Sequence, residues 1–153
     1  MFYETKKKNH GLKYDPFKSC IIPRHIAWIT TISNNGEDNC APYSFVNGVA
    51  SDSPMVMFAN NGPAIINEGP KDTFSNIKEN SEFVIKISTY NNKDKMNETC
   101  FPLAKGESEI DLAKLETRES KIVKPKILSE SPINMECKLH QIIDLPVNNE
   151  NEY

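Results

Sequence analysis

Two groups of side chains in this chain have types and spacing that could bind a ligand. Lys71-Asp72-Thr73 follows Gly69-Pro70 and precedes Phe74 and Ile77, which are spaced as one face of a helix. A helix start offers unpaired N–H groups and a positive dipole end. Lys71 adds a full charge and Thr73 a hydroxyl donor, a set that suits a terminal phosphate. On spacing alone, an ordinary helix start capped by Asp72 or Thr73, with a solvated lysine beside it, fits better. The second group is Thr30, Thr31, Asn39 and Ser44, set around Pro42. Hydroxyl and amide groups next to a proline-interrupted strand can bond the polar edge of a heterocyclic ring. Cross-strand threonine pairing and turn chemistry explain those residues equally well. Trp28 and Phe45 could stack on a ring, although a strand tryptophan is more often core. Together the stretches suit a flat, phosphorylated ligand.

Other chemistries are poorly served. His25 has no serine or cysteine at a spacing that suggests a hydrolytic triad. Glu68 and Asp72 are too close in sequence for a glycosidase-type carboxylate pair. Cys20, Cys40, Cys100 and Cys137 form no Cys-x-x-Cys unit, and His10, His25 and His140 stand at no ligand spacing from them, so no metal site is expected. Cys137 reads as a small core hydrophobe. No side-chain acid–base chemistry is demanded, which suits a bound cofactor that carries the reaction itself.

The elements that must position these groups read mainly as strands. Trp28, Thr30 and Ile32 alternate with Ala27, Ile29 and Thr31, and Asn34-Asn35-Gly36 supplies a tight turn. The returning segment, 39–44, contains Pro42 and should be an edge, a bulge or a strand end. Two more strands follow at 46–50 and 55–58, joined by Ser51-Asp52-Ser53-Pro54. A helix opens near Asp72, a strand covers 83–88, helical candidates lie at 93–100 and 109–116, and Ile133, Met135, Cys137 and Leu139 mark a half-buried strand. Many short strands with turn residues between them favour a barrel or sandwich.

At 153 residues the chain is one domain by length, divided as an arm over 1–18, a domain over 19–145 and a polar tail over 146–153. A net charge of −3 with no basic stripe argues against nucleic-acid binding. No apolar run approaches the roughly 20 residues of a membrane span, and the basic N-terminus has no apolar region behind it. A cytoplasmic protein without a membrane or nucleic-acid partner is expected.

In order and spacing the chain resembles the flavin reductase-like proteins, the FMN-binding split-barrel family. The resemblance is carried by Asp15-Pro16-Phe17-Lys18, Pro23-Arg24-His25-Ile26-Ala27-Trp28-Ile29-Thr30-Thr31 and Asn39-Cys40-Ala41-Pro42-Tyr43-Ser44-Phe45. It continues through Ser51-Asp52-Ser53-Pro54-Met55-Val56-Met57-Phe58, Gly69-Pro70-Lys71-Asp72-Thr73, Asn76-Ile77, Glu82-Phe83-Val84, Ser131-Pro132 and Glu136-Cys137. It implies a mainly β fold with short helices, a split β-barrel, working as a homodimer. It also implies that Thr30, Thr31, Asn39, Ala41, Pro42 and Ser44 hold the isoalloxazine and ribityl parts of FMN, and that Ser51, Lys71 and Thr73 approach its phosphate. The implied activity is that of an oxidoreductase passing reducing equivalents from a nicotinamide donor, NADH or NADPH, to flavin. A non-catalytic flavin-binding or electron-carrier module is the alternative, as is an inactive fragment. Family members generally continue beyond the position where this sequence stops, so the barrel is expected to be incomplete at its C-terminal side. A truncated copy, a gene fragment or a short variant completed by its partner would each account for that.

Overall fold

The strand that begins at Ala27 organises the fold because it alternates cleanly between two buried faces. In the computed structural model, which describes residues 3, 7, 9–66, 69–104 and 106–146, it forms β1 (Ala27–Ile32). β1 lies between β2 (Asp38–Tyr43) and β5 (Glu82–Ile87), and β5 pairs with β8 (Asn134–Lys138), giving an antiparallel sheet of order β2-β1-β5-β8. The other strands form two separate hairpins, β3 (Val46–Ser51) with β4 (Pro54–Phe58) and β6 (Thr117–Arg118) with β7 (Ile127–Leu128). Among the described residues the strands form no closed barrel, and β8 is an edge of its sheet.

Period-two alternation sends neighbouring side chains to opposite faces. On the first face Ala27, Ile29, Tyr43, Phe83 and Ile85 meet Ile77 of α2 (Asp72–Asn80), with Val46, Val56 and Phe58 of the β3–β4 hairpin packed on them. Phe58 meets Tyr43 and Phe83 edge-on, at centroid distances of 5.0 and 5.8 Å. On the second face Trp28 and Cys40 pack against Ile110, Ala113, Leu115 and Leu128. These come from α4 (Glu109–Leu112), the segment after it and β7. Trp28 Nε1 donates to Thr99 Oγ1 at 2.9 Å, which ties in the end of α3 (Lys93–Glu98). The Glu136 carboxylate of β8 accepts N–H bonds from Lys121, Ile122 and Val123 at 3.0, 2.6 and 3.2 Å and pins the 121–123 loop to the sheet.

Pro42 sits where the sheet tolerates it. Antiparallel partners alternate between hydrogen-bonded and non-bonded pairs. The Cys40 N–H donates to Glu109 Oε2 at 3.1 Å, so the Cys40–Thr30 pair is a non-bonded one. Pro42, two residues on and opposite Trp28, occupies the next non-bonded position. The N–H that proline lacks would point away from β1, so no ladder bond is lost on this edge strand.

Several expectations change. Lys71, in extended conformation, is the N-cap of α2 and makes no side-chain capping bond, so neither Asp72 nor Thr73 caps the helix. The Thr73 hydroxyl accepts from Asn39 Nδ2 instead (2.9 Å). The helix expected over 109–116 stops at Leu112, because Lys114 turns into the left-handed region (φ 50°) and lets the Leu115 N–H close on Ile110 O at 2.9 Å. That turn delivers Ala113 and Leu115 to the core. The candidate at 93–100 is α3, which stops two residues early at Glu98, and a 3-10 turn at Tyr90–Asn92 leads into it. α1 (Pro16–Cys20), begun by Asp15 accepting the Phe17 N–H at 2.9 Å, carries the chain across residue 18, and β6 and β7 were not anticipated. Much of the arm (1, 2, 4–6 and 8), Glu68 and the tail from 147 onward lie outside the described residues.

Lys86 lies fully buried on the Trp28 face, with its ammonium donating to Thr30 Oγ1 and to Val84 O. Burial lowers its pKa from 10.5 to about 7. The unfolded chain therefore keeps this proton up to about pH 10.5 while the folded chain releases it near 7. Between those values the unfolded state binds more protons, and stability rises with pH. Lys86→Met should remove that slope and raise stability at neutral pH by on the order of a few kcal/mol, measured by urea unfolding from pH 6 to 10.

Candidate functional site

A hydrogen-bonded hub brings β1, β2 and α2 together. Thr31 Oγ1 accepts from Asn39 Nδ2 and Asn76 Nδ2, both at 3.1 Å, and Asn39 Nδ2 also donates to Thr73 Oγ1 at 2.9 Å. All four side chains are buried. The local sequence explains this. Thr31 and Asn39 are opposed across the β1–β2 pair, and Thr73 and Asn76 are three apart on one face of α2. Asn39 Oδ1 accepts no bond among the described residues, although Asn39 is only 9% exposed.

Beside this hub opens a cavity of about 360 Å3. Asn39, Ala41 and Pro42 of β2, with Ser44 just after it, form one wall, and Lys71, Asp72 and Thr73 bring the start of α2 to it. Phe45, Ile65, Ile66, Phe101 and Pro102 make the lining largely apolar, and Glu109 completes it from α4. Volume and lining match a pre-formed small-molecule site, mostly apolar with a few placed polar groups. No side chain caps α2: the Phe74 N–H donates to Lys71 O at 3.0 Å, while among the described residues the Asp72 and Thr73 N–H groups have no acceptor.

The electrostatics are uneven. Lys71 Nζ donates to Asn61 O at 2.5 Å, and partial burial lowers its pKa. Burial raises the pKa of Glu109, against the opposing pull of the N–H bond from Cys40. Burial also pushes the Tyr43 phenol up to about 12, so it is neutral and donates to Asn60 Oδ1 at 3.1 Å. Burial pushes the Cys40 thiol to about 12 too, which makes it inert as a nucleophile.

Of the residues singled out from sequence, Asn39, Ala41, Pro42, Ser44, Lys71 and Thr73 line this cavity. Thr31 stands behind them as the acceptor that orients Asn39. Thr30 lies on the opposite face of the sheet, donating to Lys126 O at 2.6 Å and accepting from Lys86. Ser51 ends β3 on an exposed hairpin, outside the lining residues. His25 is exposed and lines no part of the cavity, and Phe45 has the Arg24 guanidinium over its ring at 5.1 Å. Sequence reading missed Glu109 and the 99–103 segment. Ser108 accepts the Ile110 N–H at 3.3 Å and so marks a helix start, but nothing local shows that this helix packs against β2. Among the described residues no three His, Cys, Asp or Glu side chains gather as a metal site, and no helix is long and apolar enough to cross a membrane.

The residues present fit a flavin. The apolar walls suit a ring system, Asn39 Oδ1 offers an unused acceptor, and Lys71 with Thr73 at a helix start suits a phosphate.

Comparison with known proteins agrees with this chemistry. Residues 19–149 match the family model described as flavin reductase like domain. The chain is 39% identical over 131 residues to the uncharacterized protein YwrF of Bacillus subtilis, covering 85% of this chain. It spans 62% of the length of YwrF and 65% of that of a second relative, BH2278 of Halalkalibacterium halodurans. Among solved structures, nitrilotriacetate monooxygenase component B from Bacillus cereus superposes with a TM-score of 0.81 at 36% identity, covering 94% of this chain and 70% of that one. A flavin reductase with a split barrel domain from Shewanella frigidimarina shares the fold, with a TM-score of 0.71 at 20% identity and coverage of 80% and 58%.

Thr31→Val would leave two buried amide donors without their acceptor. A loss of about 2 kcal/mol or more in chemical denaturation is expected. Thr30→Val removes a donor to Lys126 O and an acceptor for Lys86, both on the other face, and should leave the cavity's ligand affinity unchanged in the same preparation.

Proposed function

The chain belongs to the flavin reductase-like family, and on that premise we propose that it is an FMN-binding oxidoreductase that accepts reducing equivalents from a nicotinamide donor. The observation that carries the reading is the joining, in one cavity, of the Asn39–Thr73 hub, the Lys71 ammonium and the apolar walls of Phe45 and Phe101. Bound flavin supplies the hydride-accepting chemistry.

The protein's own groups have simpler tasks. Lys71, Thr73 and the uncapped first turn of α2 hold the phosphate, using a full charge, a hydroxyl and backbone N–H groups together. Asn39, locked by Thr31 and Thr73, presents its carbonyl oxygen to a ring N–H. Pro42 keeps the adjoining edge of β2 free of N–H donors, so that stretch of wall reads only donors on the ligand. Phe45, Ile65 and Phe101 exclude water from the ring faces. No side chain is required to move a proton.

A homodimer belongs to the same reading. Val49, Met55 and Met57 leave an apolar face on the β3–β4 hairpin, 55, 39 and 57% exposed, that a second copy would cover. Ser51 stands on that hairpin, so its approach to a phosphate would come from the partner copy.

Titration with FMN, followed by flavin fluorescence, tests the reading. Saturable binding is expected, and its absence from the folded protein would overturn the proposal. Oxidation of NADH or NADPH by the FMN complex then separates a reductase from a passive carrier. Lys71→Ala should weaken FMN about tenfold while leaving riboflavin, which lacks the phosphate, nearly unaffected. An equal loss for both ligands would move Lys71 away from the phosphate.

A further inference from the structure

We propose that Glu109 is a specificity-determining residue that tilts the cavity toward oxidised flavin and against reduced flavin. The inference rests on the flavin reading above and extends it to a residue which that reading leaves unused.

Glu109 is fixed from two directions. Ser108 starts its helix by accepting the Ile110 N–H, and the Cys40 N–H donates to Glu109 Oε2 at 3.1 Å. A carboxylate is thereby held in the cavity wall between β2 and α4. Among the described residues no lysine or arginine forms a salt bridge with it. Lys71, the cation of the same cavity, directs its ammonium to Asn61 O, and Asp72 adds a second carboxylate to the lining. The lining residues thus carry two acidic groups against one basic group, in a partly desolvated space where charge acts more strongly than in water.

Hydride transfer from a dihydronicotinamide breaks one C–H bond and moves a proton with two electrons. The donor leaves as a cation, and the accepting ring system gains one negative charge until solvent supplies a further proton. Oxidised flavin has a neutral ring system, so an adjacent carboxylate costs it little. The reduced, negative ring is repelled. By linkage, weaker binding of the reduced form is a lower midpoint potential for bound flavin.

Glu109→Gln separates charge from hydrogen bonding, because the amide oxygen still accepts the Cys40 N–H. Two quantities should be read anaerobically: the affinities for oxidised and dithionite-reduced FMN, and the midpoint potential of the bound flavin by spectroelectrochemistry. Wild-type protein should lower the potential below that of free FMN in the same buffer. Glu109→Gln should shift the affinity ratio about tenfold toward reduced FMN, which for a two-electron couple is about 30 mV upward. Glu109→Asp, which keeps the charge, should stay near wild type. An unchanged ratio in Glu109→Gln would overturn the inference. A wild-type potential above that of free FMN would do the same, even if the variant did not fold. A wild-type protein that bound oxidised FMN in neither assay would instead remove the flavin reading beneath it.

Discussion

The hydroxyl of Thr31 is the fixed point on which the rest of the site depends. It accepts amide N–H groups from β2 and from α2 at once, so strand edge, helix start and cavity wall share one buried oxygen. Buried polar groups are costly unless paired, and that cost makes the arrangement specific. Asn39 cannot rotate without abandoning two acceptors, and α2 cannot slide along the sheet without moving Thr73 off Asn39. Asn39 and Thr73 are therefore positioned in the cavity wall by a small polar lattice that ties strand to helix.

The same strand supports a different economy on its other face. There Trp28, Cys40 and Leu128 pack with a fully buried lysine whose hydrogen-bond partners among the described residues are a hydroxyl and a carbonyl. Hydrophobic burial on both faces of β1 offsets this cost. The two faces also divide the labour. The first builds the cavity through α2, and the second brings in α4, whose Glu109 accepts the Cys40 N–H that β2 turns away from β1.

Much of this was legible in the chain. The alternation from Ala27 to Ile32 named both faces of β1, Asn35-Gly36 named the turn, and Pro42 marked an edge strand. Six of the nine ligand-directed residues gather on one cavity because they lie on neighbouring elements, β2 and the start of α2. Thr30 differs from Thr31 only by the parity of the strand, which sends its hydroxyl to Lys126 O. Helix caps were less readable. A local rule assigns Asp72 or Thr73 to capping, but a long-range amide claims the Thr73 hydroxyl first. Two-residue strands such as β6 and β7 carry too little periodicity to be seen, and the left-handed Lys114 has no glycine or asparagine to announce it. Glu109 was invisible as a cavity residue because its partner, the Cys40 N–H, lies 69 positions away.

Glu136 joins the 121–123 loop to β8 through three successive backbone amides converging on one carboxylate. Those amides are held by a side chain that can gain a proton, whereas the amides of the β1–β5 ladder are held by carbonyls that cannot. Their solvent-exchange protection is consequently a local meter of one carboxyl's ionisation, separable from the slower opening of the sheet. The bonds favour the ionised form and hold its pKa below the usual carboxylate value, so these amides keep their acceptor through mild acid and lose it only in stronger acid.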